Sequence, residues 1–94
     1  MTDEPVTPLE GEDSWAALRE APVAEVLAAD ILHLLQLAAV HLAASPPDLG
    51  EAQLLIDVVA AIVAAGGDRL GEHLGLYREA LAEVQQVFVR ATSA

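Results

Sequence analysis

The sequence predicts an all-α protein, a single three-helix bundle with an up-down-up course. Hydrophobic residues make up 54% of the 94 positions, yet aromatic residues make up only 3%, so the core must consist of Ala, Leu, Val and Ile. Apolar residues recur at helical spacing in three long segments, with no strand-like alternation. Proline and glycine pairs separate those segments. A chain this short supports one hydrophobic core, which a second copy would complete.

The first 13 residues predict a flexible acidic tail. They include Pro5, Pro8, Gly11 and five carboxylates, and such a segment cannot bury enough apolar surface to offset its ordering entropy. We therefore expect one helical domain over residues 14–94, in which a short helical turn near Trp15 precedes the first long helix.

The first long helix is expected at about 22–44. Pro22 suits a first helical turn, and Ser45-Pro46-Pro47 ends the helix. Val26, Leu37 and Val40 fall among polar residues, so this helix carries more apolar surface than one face needs. The stripe expected to face the core consists of Ala24, Leu27, Ile31, Leu35, Ala38 and Leu42.

The second helix is expected at about 49–65. Asp48 and Glu51 have the spacing of a capping box, and Gly66-Gly67 provide the left-handed residue that commonly ends a helix. This helix is apolar nearly all round, and two neighbouring helices cannot cover it. We therefore expect a homodimer with this helix near the two-fold axis. The residues expected at that interface are Leu55, Val58, Val59, Ile62 and Val63.

The third helix is expected at about 70–91, with Asp68 as its N-cap. Its apolar positions alternate three and four residues apart, which is typical of a helix packed against near-parallel neighbours. The residues of this seam are Leu74, Tyr77, Leu81, Val84 and Phe88.

The charge balance restricts the partners. Fifteen acidic residues against four Arg and no Lys give a net charge of −11 and disfavour nucleic acids and anionic membrane surfaces. The start of the chain lacks the basic residues of a secretory signal, so we expect a cytoplasmic protein. The longest uncharged run, residues 31–47, is interrupted by polar residues, so we expect a buried helix there instead of a membrane span.

Several short segments resemble a known family. Pro22-Val23-Ala24-Glu25-Val26, Ala38-Ala39-Val40-His41-Leu42 and Asp68-Arg69-Leu70-Gly71 are similar in order and spacing to the actinobacterial branch of the bacterial family catalogued as domain of unknown function 1844. The similarity covers about residues 20–91. It implies a small bacterial helical protein without an established activity. Members often continue the first helix further than Ser45-Pro46-Pro47 allows here.

Asp30, His33 and His41 are the candidate metal ligands of the sequence. Asp30 and His33 are three residues apart and could face one ion, or could form an ordinary hydrogen-bonded pair. His33 and His41 lie ~12 Å apart along one helix, too far to share an ion within one chain. Helical di-metal sites repeat a Glu-x-x-His pair, which does not recur here. We therefore expect neither a bound metal nor a cofactor.

His41 and Asp57 can each be explained by a role in the fold, without a binding site. A buried His41 could bond a backbone carbonyl or Asp57. Asp57 could be a buried acid with a raised pKa, but a hydrophilic helix edge explains it more simply.

Trp15 and Leu18 leave two alternatives open. They could form a docking motif that folds into the groove of a partner protein, or they could fold back and cap the bundle.

The sequence contains no catalytic constellation. Its three Ser residues lie at expected helix caps or ends, and the glycine-rich segment at 66–71 lacks the lysine and the preceding strand of a phosphate loop. We therefore expect a non-enzymatic, oligomeric interaction or structural protein. The alternative is a helical bundle that binds a small ligand or metal through Asp30, His33 and His41.

Overall fold

The computed structural model describes residues 12–93, with side chains from Trp15 onward, and these residues are almost entirely helical. The helices are α1 (Glu12–Glu20), α2 (Val23–Ala43), α3 (Leu49–Gly66) and α4 (Leu74–Ser93), with a 3-10 turn at Gly67–Leu70. The all-α class is thus confirmed. The predicted acidic tail lies outside the described residues up to position 11, and its last two residues belong to α1.

Helix α2 follows its sequence pattern closely. Pro22, in an extended conformation, precedes it, and it ends at Ala43, ahead of the Ser45-Pro46-Pro47 segment. Of the predicted core stripe, Ala24 and Leu27 are half-buried. Its other members are fully buried against α3 and α4, as predicted: Ile31, Leu35, Ala38 and Leu42.

Helix α3 begins at the predicted cap. The Asp48 Oδ1 atom accepts a hydrogen bond from the Glu51 backbone N–H at 3.4 Å. The helix ends before Gly67, whose φ of +50° confirms a positive φ at this point, although its ψ of −136° differs from the left-handed helical value expected there. Its buried residues are Ala52, Ile56, Val59 and Val63.

The predicted start of the third long helix is wrong by four residues. Residues 67–70 form the 3-10 turn, and α4 begins only at Leu74. Gly71 has a φ of +92°, a conformation that an α-helix cannot contain, so it separates the turn from the helix. The turn directs Leu70 into the core, where it is buried.

Helix α4 completes the bundle by packing against both α2 and α3. Leu74, Tyr77 and Leu81 are buried, while Val84 and Phe88 are half-buried against the same core, so the predicted seam is confirmed. The three long helices therefore enclose one core in the predicted up-down-up order.

Helix α1 stands apart from this bundle. None of its Cα atoms lies within 8 Å of a Cα atom in the other helices. Trp15 and Leu18 are each 46% exposed. Among the described residues, α1 is thus a separate helix joined to the bundle through Ala21 and Pro22.

Candidate functional site

Large apolar side chains are exposed on the outer faces of α2 and α3. Helix α2 exposes Val23, Val26, Leu37 and Val40 on the side away from its core stripe. Helix α3 exposes Leu54 and Val58 on its own outer side. In the single chain these side chains contact solvent, which makes the outer faces of α2 and α3 candidate binding surfaces.

The interface predicted on α3 must be corrected at two positions. Val59 is 0% exposed and Val63 is 6% exposed, because both belong to the core of the same chain. Val58 is exposed, and Leu55 and Ile62 are half-buried. Only these three predicted residues can reach a second chain without opening the fold.

The three metal candidates do not converge. Asp30 and His33 are exposed on the outer face of α2, and they form no hydrogen bond or ion pair with each other in the described structure. His41 lies two turns further along, beside a different residue. Within residues 12–93, no group of three or more His, Asp or Glu side chains is placed to hold a metal ion.

His41 lies in the last turn of α2, next to the connection to α3. Its Nδ1 atom lies 3.5 Å from the Asp48 Oδ2 atom, and its backbone carbonyl accepts a hydrogen bond from the Asp48 N–H at 3.0 Å. The sequence suggests a backbone carbonyl or Asp57 as the partner of the His41 ring, whereas in the described structure the ring lies beside Asp48 and Asp57 pairs with Gln53. His41 is only half-buried, and these contacts give it a structural role at the turn.

Asp57 is the hydrophilic edge that the sequence predicts. It is exposed, and its Oδ1 atom accepts a 2.7 Å hydrogen bond from the Gln53 side chain one turn earlier. This pair marks one border of the apolar outer face of α3. The alternative of a buried acid does not apply.

A groove lies between the C-terminal parts of α2 and α4. It has a volume of about 500 Å³, is open to solvent and is mostly apolar. Its lining residues are Ala39, Leu42, Ala43, Glu83, Val84, Gln86, Val87 and Arg90. None of the three metal candidates lines it, so it does not combine with them into one site.

One buried polar atom is unpaired. Tyr77 is only 1% exposed. Its hydroxyl is buried with it and has no hydrogen-bond partner among the described residues. Its ring lies 6.4 Å from that of His73, at a tilted angle. Because apolar core residues surround it, the tyrosine fills the bundle without forming part of a polar site.

Trp15 and Leu18 do not cap the bundle in this structure. Both lie on α1, whose Cα atoms are all more than 8 Å from those of the other helices, and both are half-exposed. The separation of α1 from the bundle favours the docking-motif alternative over capping, and both alternatives stay predictions.

Two stretches, Val23–Ala43 and Leu49–Leu70, are long and apolar enough to span a membrane, judged by length and composition alone. Helices that are mostly buried in the core of a soluble protein meet the same criterion, whereas the tested windows of these two stretches are only 17% and 22% buried in the single chain, below the buried helix expected at residues 31–47.

Comparisons with known proteins return no match: no family model fits the chain, and neither a curated protein nor a solved structure matches it. The resemblance to the domain of unknown function 1844 family stays a prediction based on the segments quoted above.

Proposed function

We propose that this is a non-enzymatic, cytoplasmic helical protein that acts by associating with a second copy of itself. The observation that supports the proposal is the exposure of large apolar side chains on the outer faces of α2 and α3. The core is complete without them, so a second chain can cover them without any change in the fold.

The energetics favour association through a symmetric surface. Full burial of one Val or Leu side chain contributes about 1.5–3 kcal/mol relative to exposure. In a two-fold dimer, every interface residue is used twice, so a few side chains on each chain supply a substantial gain. The net charge of −11 opposes association at long range and keeps the single chain soluble.

Light scattering coupled to size-exclusion chromatography tests the proposal. We expect the mass of a dimer at low micromolar concentration and a shift toward the 9.8 kDa chain on dilution. Native mass spectrometry of untagged protein would report the subunit count together with any retained ligand. A monomer throughout the accessible concentration range would contradict the proposal.

Insertion of α2 and α3 into a membrane is less favourable. His33 lies at the middle of α2, and Asp57 lies close to the middle of the α3 stretch. An aspartate at the centre of a membrane span costs about 2.5–3.5 kcal/mol. The turn at residues 44–48 also lacks the Lys or Arg residues that orient membrane hairpins. These features support a soluble protein.

The alternative function is binding of a small ligand or metal through Asp30, His33 and His41. The separation of His41 from the other two residues weakens it, since one ion needs its ligands within coordination distance. Metal analysis of untagged protein tests whether the chain binds a metal. One equivalent of a transition metal, lost on His33→Ala, would favour this alternative over self-association alone.

A further inference from the structure

The outer face of α2 carries a second regular stripe. Its residues alternate three and four positions apart, which is the spacing of a coiled-coil seam, and all of them are exposed. The stripe lies opposite the core stripe that contains Ile31 and Leu35. Its members are Val23, Val26, Asp30, His33, Leu37 and Val40.

The order of residue types in this outer stripe is symmetric. Read from either end, two aliphatic residues come first and an ionisable residue follows. The two ionisable residues are complementary: Asp30 is an acceptor, and His33 is a hydrogen-bond donor or, when protonated, a cation. A second copy aligned antiparallel about the midpoint of this stripe would therefore match apolar with apolar and acid with base.

We propose that two copies pair through α2 in an antiparallel, two-fold arrangement in which Asp30 of each chain contacts the partner subunit's His33. This inference rests on the proposed self-association and specifies its geometry. Val26 then packs against the partner subunit's Leu37, and Val23 packs against the partner subunit's Val40. These contacts extend over ~26 Å, at a rise of ~1.5 Å per residue.

The central Asp30 and His33 select the orientation and the register. A parallel pair would bring Asp30 against the partner subunit's Asp30, which is a like-charge contact. A shift by one heptad would place Asp30 against an aliphatic residue, such as the partner subunit's Val40, and a carboxylate buried without a partner is costly. A single polar layer sets register in coiled coils for the same reason.

The outer face of α3 is less suited than that of α2 to pairing with a second copy. Its outer stripe, Leu54, Val58, Ala61 and Ala65, is exposed and also has helical spacing, but it contains no charged residue and two of its members are Ala. Nothing in it selects a second copy or a register. The inferred two-fold axis therefore lies on α2, whereas the sequence predicts it on the second long helix.

A charge reversal on the exposed face tests the pairing. His33→Asp places two aspartates against each other at both symmetric contacts, and like-charge contacts of this kind should raise the dimer Kd about 100-fold or more in sedimentation velocity. The double variant Asp30→His/His33→Asp exchanges the partners and should restore most of the affinity. His73→Asp makes the same chemical change at an exposed position outside the stripe and should leave the Kd unchanged.

Disulfide trapping reports the register directly, because the chain has no cysteine of its own. The variant Val26→Cys/Leu37→Cys should form a covalent dimer on mild oxidation. The two positions are ~16 Å apart on one helix, too far for a bond within the chain. Leu54→Cys/Ala65→Cys has the same spacing on the outer face of α3 and should not form such a dimer.

The outcomes separate the two proposals. A wild-type monomer would overturn both the self-association and the pairing. A dimer that tolerates His33→Asp as well as His73→Asp, or that is trapped through α3 instead of α2, would overturn the α2 pairing and leave self-association standing. Loss of affinity in His33→Asp, its recovery in the double variant and trapping through α2 would support the pairing.

Discussion

Asp48 connects α2 to α3 through several contacts of a single residue. Its Oδ1 atom caps α3, its Oδ2 atom lies beside the His41 ring, and its N–H donates to the His41 carbonyl. The cap could be predicted from the sequence because it depends on spacing alone. The contact with His41 could not, because it depends on how residues 44–47 return the chain.

We expect Asp48→Ala to lower the free energy of unfolding by about 1 kcal/mol, the usual cost of losing an N-cap. Asp48→Asn should retain most of the stability, since its amide oxygen can still accept from Glu51 N–H. Urea unfolding followed by circular dichroism at one fixed protein concentration measures both effects. Equal losses in the two variants would show that the carboxylate charge matters more than the cap.

Tyr77→Phe should raise stability by about 1 kcal/mol. The hydroxyl is buried without a partner in the described structure, and an unpaired buried hydroxyl forfeits its hydration without compensation. The ring itself must stay, so Tyr77→Ala should lower stability by about 3–5 kcal/mol. Thermal and urea unfolding of both variants provide the measurement. A clear destabilisation by Tyr77→Phe would show that the hydroxyl has a bonding partner in solution.

At the scale of elements, a helix end is predictable where a residue type such as proline cannot continue the helix. Proline limits α2 at both ends, and its observed bounds lie within one residue of the predicted 22–44. The start of α4 differs from the predicted residue 70 because the φ of +92° at Gly71, which excludes it from a helix, cannot be read from the sequence. Residue type reveals that a glycine can adopt positive φ, but not which glycine does.

The 3-10 turn depends on a close approach at Gly66. A Cβ atom at this position would lie 2.5 Å from the Leu70 Cγ atom, and Leu70 is fixed in the core. We expect Gly66→Ala to destabilise the protein by about 1–3 kcal/mol through overpacking, although its helical backbone tolerates alanine.

Gly75→Ala is the matched control for Gly66→Ala. Gly75 also lies in a helix, and nothing occupies the space around an added Cβ atom there. The substitution should stabilise α4 by about 0.5–1 kcal/mol through helix propensity. Opposite signs in urea unfolding would confirm the steric role of Gly66, and a gain at both positions would contradict it.

Because α1 is separate from the bundle, we expect a double variant in α1 to leave the melting temperature unchanged. Trp15→Ala/Leu18→Ala removes two large side chains that lie outside the core cluster, on a helix with no Cα atom within 8 Å of the bundle helices, so the melting temperature should not change. Val59→Ala, which truncates a fully buried residue, should lower it markedly and serves as the positive control. A lower melting temperature in the double variant would show that α1 packs on the bundle in solution.

At the scale of the whole molecule, the surplus of apolar surface was predictable but its location was only partly so. A helix that is apolar nearly all round does not reveal which stripe its own chain covers, so Val59 and Val63 were assigned to an interface that they cannot reach. On α2 the sequence pattern already indicates that Val26, Leu37 and Val40 lie among the polar residues, but it does not show that this face stays uncovered by the rest of the chain. The folded arrangement adds the exposure of this face, where Val23 and Val40 are 68% and 64% exposed.

The short connections of the bundle also bear on how it folds. Residues 44–48 join α2 to α3, and residues 67–73 join α3 to α4. Because these loops are short, the entropic cost of bringing neighbouring helices into contact is small. The core requires no residue of the outer α2 stripe. Each chain can therefore fold rapidly by itself, and pairing follows as a slower, concentration-dependent step. Two kinetic phases, of which only the second accelerates with protein concentration, are the expected signature of this order of events.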